Sequence, residues 1–436
     1  MSLISLSIFV ILINLIHIFY TYSRTGDVLH YTNLFSLIFL INYPLMMIVN
    51  LNGIHVLNSN EFGVINQYYA LFFAFVGWLF FNLPFYMSKK VKLENIGVKN
   101  ATGIILNLKI SHFLFIIILF ILLIHGKNVI YLFNPEALHS IRGLRLQEQE
   151  GTAGKALIST FLNITVVFFI IKLLLKKKMF LFYIFVISYG YTIMALTTSK
   201  TAALTPILIA FFMFHYFYKN FSLLSSIKYF FTGLFLLIFL AGARALNMDN
   251  LSLLFSLRQL ANAFDGMENL VAITSRVNDY IFGDDFYWHY IEYLIIAPIP
   301  RAIWPNKPEL YGNLSIQQQY IPELFFGQNG MTVSPSFVGP MLIDGGIIGI
   351  ILTSSLVGGI FLFIYKKFLH SNKTLYLFIY LYLFLSVISY LRIGIGIFSS
   401  LYVAVIIFIV YIIVLKILTH KQYNKSKMVI YEQKTI

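Results

Sequence analysis

Eleven stretches of this chain are apolar over about the length of a membrane-crossing helix, the fourth short unless it extends through Gly126 to Phe133, and that constrains the fold more than any motif does. A hydrocarbon core of roughly 30 Å takes about 20 apolar residues at the helical rise. The runs lie at approximately 3–20, 34–51, 67–87, 112–125, 156–175, 179–197, 201–217, 228–247, 337–365, 373–391 and 397–418. None shows the alternation of a barrel strand, and a helix satisfies its own backbone polar groups in lipid. The expected fold is therefore an all-α polytopic membrane protein with about 11 transmembrane helices. Hydrophobic residues are 59% of the chain and charged ones 11%, outside the balance of a soluble domain. The first run has neither a basic segment before it nor a small-residue cleavage site after it, so it reads as a retained span. The ninth is long enough to tilt or to break near Gly358-Gly359.

The formal charge of +14 does not point to nucleic acid, because the lysines sit in short connections between the apolar runs. Lys89, Lys90, Lys92, Lys99 and Lys109 share one connection, Lys176–Lys178 another, Lys219 and Lys228 a third, and Lys366, Lys367 and Lys373 a fourth. They alternate correctly if all are cytoplasmic, with the N-terminus outside and the C-terminus inside. Residues 1–248 then hold helices 1–8 with a first external loop at about 126–155; residues 249–336 form a large external loop; residues 337–418 hold helices 9–11; and 419–436 is a basic cytoplasmic tail suited to anionic headgroups. The chain has no cysteine, so thiol chemistry and disulfides are excluded.

The large loop is the chemically richest stretch, with nine of the 17 acids, a proline cluster, Trp288 and Trp304. Cation type separates the two faces. Seven of the eight arginines (Arg142, Arg145, Arg244, Arg258, Arg276, Arg301 and Arg392) fall on the external side, whereas the inner cations are lysines with Arg24 as the exception. Topogenesis needs only positive charge; a planar, always ionised guanidinium adds bidentate recognition of phosphate oxygens. Pairing with the loop acids is the competing use of those arginines.

Within this set, Arg142 and Arg145 share a face if Ser140–Gly151 is helical, and either clamp a diphosphate or pair with Glu148 and Glu150. Lys200 sits at a helix start in Thr197-Thr-Ser-Lys-Thr201, where a cation opposes the helix dipole unless an anion is bound. Arg244 and Arg392 lie near span ends, where a charge is costly. Leu251–Thr274 has a helical apolar period and carries Arg258, Asp265, Glu268 and Asn269, so an amphipathic helix is expected along the membrane or on the bundle. Tyr287–Pro300, with Trp288 and His289, is too short to span and reads as an interfacial or re-entrant piece. His289 is either a general base or a hydrogen-bonded packing residue. Asp284-Asp285 reads as a solvated turn rather than a cation site. Prolines on either side of Arg301 stiffen its backbone. Asp344 lies among Gly339, Gly345, Gly346 and Gly349 where the chain re-enters the membrane.

The span pattern, the segment Pro300-Arg-Ala-Ile-Trp-Pro-Asn-Lys-Pro308, the Thr197-Thr-Ser-Lys-Thr-Ala-Ala-Leu204 turn and the exit Phe337-Val-Gly-Pro-Met-Leu-Ile-Asp-Gly-Gly-Ile-Ile-Gly349 together resemble the bacterial oligosaccharide repeat-unit polymerases, the Wzy-type O-antigen polymerases. That family carries R-x10-G patterns in two external loops. Arg301 with Gly312 has the spacing; Arg142 reaches Gly154 with one residue too many. The resemblance implies a GT-C-like membrane glycosyltransferase at the external face of the plasma membrane, with no metal and no cofactor. It would polymerise undecaprenyl-diphosphate-linked oligosaccharides. On that reading Arg301 is expected in catalysis and, with Lys200, Arg142, Arg145 and Arg258 or Arg244, on the diphosphate, while Glu268 or Asp265, or else His289, is expected to deprotonate or orient the acceptor hydroxyl. Its expected partners are the lipid-linked substrates, the membrane, and a chain-length regulator and flippase of the same pathway. An O-antigen ligase shares the plan, and a flippase shares the charge and hydropathy, but no internal repeat supports a transporter.

Overall fold

The computed structural model describes residues 2–51, 62–89, 92–93, 109–125, 152–197, 200–226, 228, 266–284, 299, 303–304, 306, 316, 319–322, 336–371, 374–394, 405–414 and 416. Among them are α1 (Leu3–Thr25), α2 (Tyr31–Leu40), a π-helical turn (Ile41–Leu45), α3 (Met46–Leu51), α4 (Val64–Met87), α5 (Ile110–His125), α6 (Thr152–Leu175), α7 (Met179–Thr197), α8 (Lys200–Phe217), α9 (Gly266–Thr274), α10 (Gly339–His370) and α11 (Thr374–Ile393). A last apolar helix, α12, is Val405–Val414. No strand occurs among the described residues. Four segments, Leu3–Thr25, Tyr31–Ile48, Val64–Met87 and Gly339–His370, are long and apolar enough to cross a membrane, and six shorter apolar helices accompany them. These ten occupy ten of the eleven expected runs; 228–247 falls almost wholly outside the described residues. The chain is an all-α membrane protein. It divides into two compact units.

The first unit holds residues 1–94, 221–369 and 382–402. Its α1 is amphipathic in reverse. Ser7, Val10, Asn14, His17, Thr21 and Thr25 are buried at three- and four-residue steps, while Ile4, Ile8, Leu12, Leu15, Ile16 and Phe19 face outward. In lipid the polar seam turns inward because apolar side chains lose nothing by facing acyl chains. His17 Nδ1 shares a hydrogen bond with Tyr86 Oη of α4. In the last turn of α1, Arg24 donates to the carbonyls of Phe85, Tyr86 and Ser88 at the end of α4, and its guanidinium lies 4.8 Å over the Phe85 ring. A cation is favourable there, where a helix leaves carbonyls unpaired.

The helix ends define direction. Tyr365, near the end of α10, donates to Asp27 Oδ2 at 2.8 Å, just past the end of α1. So α1, α4 and α10 run one way, with their C-terminal ends meeting around Asp27, and α2 to α3 runs the other. Between the ends lies an aromatic core: Phe35 stacks on Phe81 at 3.8 Å, and Trp78 Nε1 donates to Ser36 Oγ at 2.8 Å.

The break in α10 is at Gly346, with φ 56° and ψ −149°, and not at Gly358-Gly359. Gly358 lies in regular helix and serves close packing, since a Cβ there would collide with the Phe81 carbonyl. At the true break, residues 280–284 dock onto the helix. Ile347 N donates to Tyr280 O at 2.8 Å, and Asp284 N to Ile343 O at 2.7 Å. Gly283 (φ 78°) and Gly346 lie at the crossing, where any Cβ would meet backbone atoms of the opposite segment. Only glycine combines that φ with that approach.

The second unit holds residues 95–220, 370–381 and 403–436. Here α6 is central: Val166 to Leu174 are buried throughout, including Lys172, whose ammonium lies 5.6 Å over the Phe113 ring. Phe113 of α5 meets Phe169, α12 brings Phe408 against Phe168 and Tyr411 against Phe161, and Phe212 of α8 meets Tyr380. The exposed turn Lys176–Lys178 joins α6 to α7 through left-handed Lys177.

Candidate functional site

At the end of the first unit opposite Asp27, the described part of the expected amphipathic helix packs on the bundle. Every residue of α9, Gly266–Thr274, is buried. The helix is not an interfacial ribbon; it is enclosed by α4, the π-helical turn and α3. Its first residue, Gly266, packs against Tyr43, where an added Cβ would come 3.3 Å from Oη. Its last, Thr274, places Oγ1 3.3 Å from Asn66 O at the head of α4. Glu268 is in the first turn and 8% exposed, beside fully buried Asn269. A carboxylate is favoured in a first turn, where free N–H groups and the helix dipole point toward it.

Tyr43 is the node of this region. Its Oη donates to Leu391 O at 3.1 Å, shares a 2.7 Å hydrogen bond with Ser336 Oγ and accepts from Phe337 N at 3.4 Å. It therefore ties Ser336 and Phe337, just before α10, to the last turn of α11. Next to it, Asn42 is 1% exposed with both amide atoms lacking a hydrogen-bond partner among the described residues. A π-helical turn holding Asn42 and Pro44 inside an apolar span is a local irregularity of the type found at functional sites. An unpaired buried carboxamide costs roughly 1–3 kcal/mol per group, so a bound hydroxyl or water would gain what the protein leaves unmade. Asp344, in the short first half of α10, is buried as well. The buried polar floor is thus built by α9 and the distorted Ile41–Leu45 turn.

Nearer the surface, Arg276 is committed to structure. Its Nη1 donates to Tyr320 O at 2.6 Å, and its guanidinium lies 5.7 Å over the Phe62 ring. Tyr320 Oη donates to Asp284 Oδ2 at 3.3 Å, and the same carboxylate accepts from the backbone N–H groups of Asn278 and Asp279. Asp284 is accordingly a turn-former.

Among the sequence-predicted residues, Glu268 is in this floor. Lys200 is the first residue of α8, the helix start that its dipole argument requires, and belongs to the second unit. Arg142, Arg145, Arg244, Arg258, Asp265, His289 and Arg301 lie outside the described residues. Arg392 is helical, one residue from the Leu391 carbonyl held by Tyr43. Asn42 and Tyr43 were missed by site reasoning, although an Asn-Tyr-Pro sequence inside an apolar run is a readable signal.

Over 119 residues the chain is 30% identical to the O-antigen polymerase of Salmonella typhimurium, and equally to that of Salmonella typhi. The match spans 27% of this chain and 27% of each relative. No family profile matches, and no solved structure matches. What the helices and the comparison identify is an all-α membrane protein that is similar, over about a quarter of its length, to O-antigen polymerases.

Proposed function

We propose that the protein polymerises undecaprenyl-diphosphate-linked oligosaccharide repeat units at the external face of the bacterial plasma membrane, as a GT-C-like glycosyltransferase with eleven crossings. The similarity to O-antigen polymerases over part of the chain is the observation that carries this reading. The loop that follows span 8 is its platform. In the proposed orientation the Asp27 end, with Arg24 and the lysines from Lys89 onward, is cytoplasmic, and the Glu268 end faces outward.

In this reading Arg301, with Arg142, Arg145, Lys200, Arg244 and Arg258, holds the donor diphosphate. Fixed cations stabilise the charge that develops as the diphosphate leaves, which raises the rate only because they are preorganised for it. The donor brings its own leaving group, so the proposed reaction needs neither a nucleotide nor a metal. Glu268 or His289 accepts the proton of the attacking sugar hydroxyl. A carboxylate enclosed like Glu268 is screened from bulk water, which suits a base that must act on a hydroxyl rather than on solvent. A chain-length regulator and a flippase would be its partners in the pathway.

The test is ladder formation by purified protein on a defined undecaprenyl-diphosphate repeat unit, without nucleotide sugar or metal. Arg301→Ala and Arg301→Lys are expected to lose roughly 100-fold or more, on the scale of removing one preorganised stabilising group. Normal ladders from both variants would remove Arg301 from the site, and no ladder from the wild-type protein would reject polymerisation.

A further inference from the structure

We propose that the turn Ile281-Phe282 is a membrane-seated wedge, an apolar tip that enters the lipid beside α4 and α10 and sets the depth of the external loop against the bilayer. Ile281 is 56% exposed and Phe282 55%. They stand between the exposed polar residues Asn278, Asp279 and Asp284. Two large apolar side chains at the tip of a polar turn lose free energy in water.

The tip continues the outward apolar surface of the spans. The Tyr280 ring lies 5.3 Å from Tyr69 and 5.6 Å from Phe73 of α4. From there an exposed stripe runs along α4 at helical spacing through Ile65, Tyr69, Phe72 and Leu79, and α10 carries another through Leu352, Leu356, Ile360 and Phe363. In a membrane protein such stripes are the lipid-facing surface. The turn is fastened to the breaking point of α10 between them.

An independent observation is the backbone of the turn. Asp279 Oδ1 accepts from Ile281 N at 2.8 Å and from Phe282 N at 3.1 Å. Gly283 N donates to Asp279 O at 2.9 Å, and Asp284 N to Ile343 O. The carbonyls of Tyr280 and Ile281 accept from Ile347 N and Ile348 N, the first amides after the break in α10. Four consecutive N–H groups, Ile281 to Asp284, are thus satisfied by protein. In hydrocarbon each unpaired group would cost several kcal/mol, and none of these four is left unpaired. The occupant is acyl chain at the headgroup boundary, because the patch joins lipid-facing stripes.

The chain has no cysteine, so single cysteines report cleanly. Spin labels at Ile281→Cys, Phe282→Cys, Phe72→Cys and Asn278→Cys are read in nanodiscs of phosphatidylcholine and phosphatidylglycerol by collision with oxygen and with a water-soluble nickel chelate. Positions 281 and 282 are expected to match 72, with high oxygen contact and nickel contact about tenfold or more below that at 278. Nickel contact equal to that at 278 overturns the proposal in favour of water, and shielding from both reagents overturns it in favour of a protein cover, a second copy included. Phe282→Trp, read as the fluorescence it adds over wild-type protein, gives a label-free answer: quenching by brominated lipid supports the wedge, and quenching by acrylamide instead rejects it.

Discussion

His30 shows how much one position can carry in a protein of this kind. It is fully buried in the turn between α1 and α2, with its ring 4.4 Å from that of Tyr365 and 4.8 Å from that of Phe85. Its Nδ1 serves Thr32, and Nε2 has no partner among the described residues. Burial pushes the imidazole down to about 3; the Asp27 carboxylate offsets part of this, and His17 and Arg24 lower it further. The unfolded chain therefore binds the proton more readily, near the ordinary value of 6.5. The stability this histidine contributes is present in full above pH 6.5 and is lost as the pH falls from there toward 3. Unfolding midpoints in detergent should drop between neutral pH and about pH 4.5, and His30→Asn should flatten that drop. An unchanged slope in the variant would place the titration elsewhere. Glu268 was legible as a candidate from residue type alone. The partners of Tyr43 were not, because Ser336 and Leu391 are hundreds of positions away in the chain.

Helices add a requirement that no single residue expresses, which is that two backbones approach closely at one level. Gly358 and Gly359 look equivalent in sequence, yet Gly358 faces the Phe81 carbonyl and Gly359 has open space around its Cβ position. Gly358→Ala should destabilise by about 1–3 kcal/mol through overpacking. Gly359→Ala should be neutral or gain up to about 1 kcal/mol of helix propensity. Thermal unfolding of the pair distinguishes contact from propensity, and equal effects would contradict the packing described for α4 and α10. The break at Gly346 belongs to this scale too. A run of glycines announces that something unusual happens near Asp344, but a chain break is chosen by the segment that fills it, here 280–284. The apolar period read over Leu251–Phe264 lies outside the described residues, and the enclosure of α9 required α4, α3 and the π-helical turn to surround it.

For the whole molecule, orientation in the membrane is directly measurable. With Asn306→Cys and Lys89→Cys, both at exposed positions, a membrane-impermeant maleimide should modify position 306 in intact cells and position 89 only after permeabilisation. The opposite pattern would invert the proposed site onto the cytoplasmic face. The all-helical class and the places of the apolar runs were determined by sequence alone, because the cost of putting a residue in hydrocarbon depends on that residue and its neighbours along one helix. Only the tertiary structure decided that α9 is enclosed, that α10 breaks at Gly346, and that Tyr43 joins the loop exit to α11. Each of those depends on which atoms come within a few ångströms from distant parts of the chain, a relation that hydropathy does not encode.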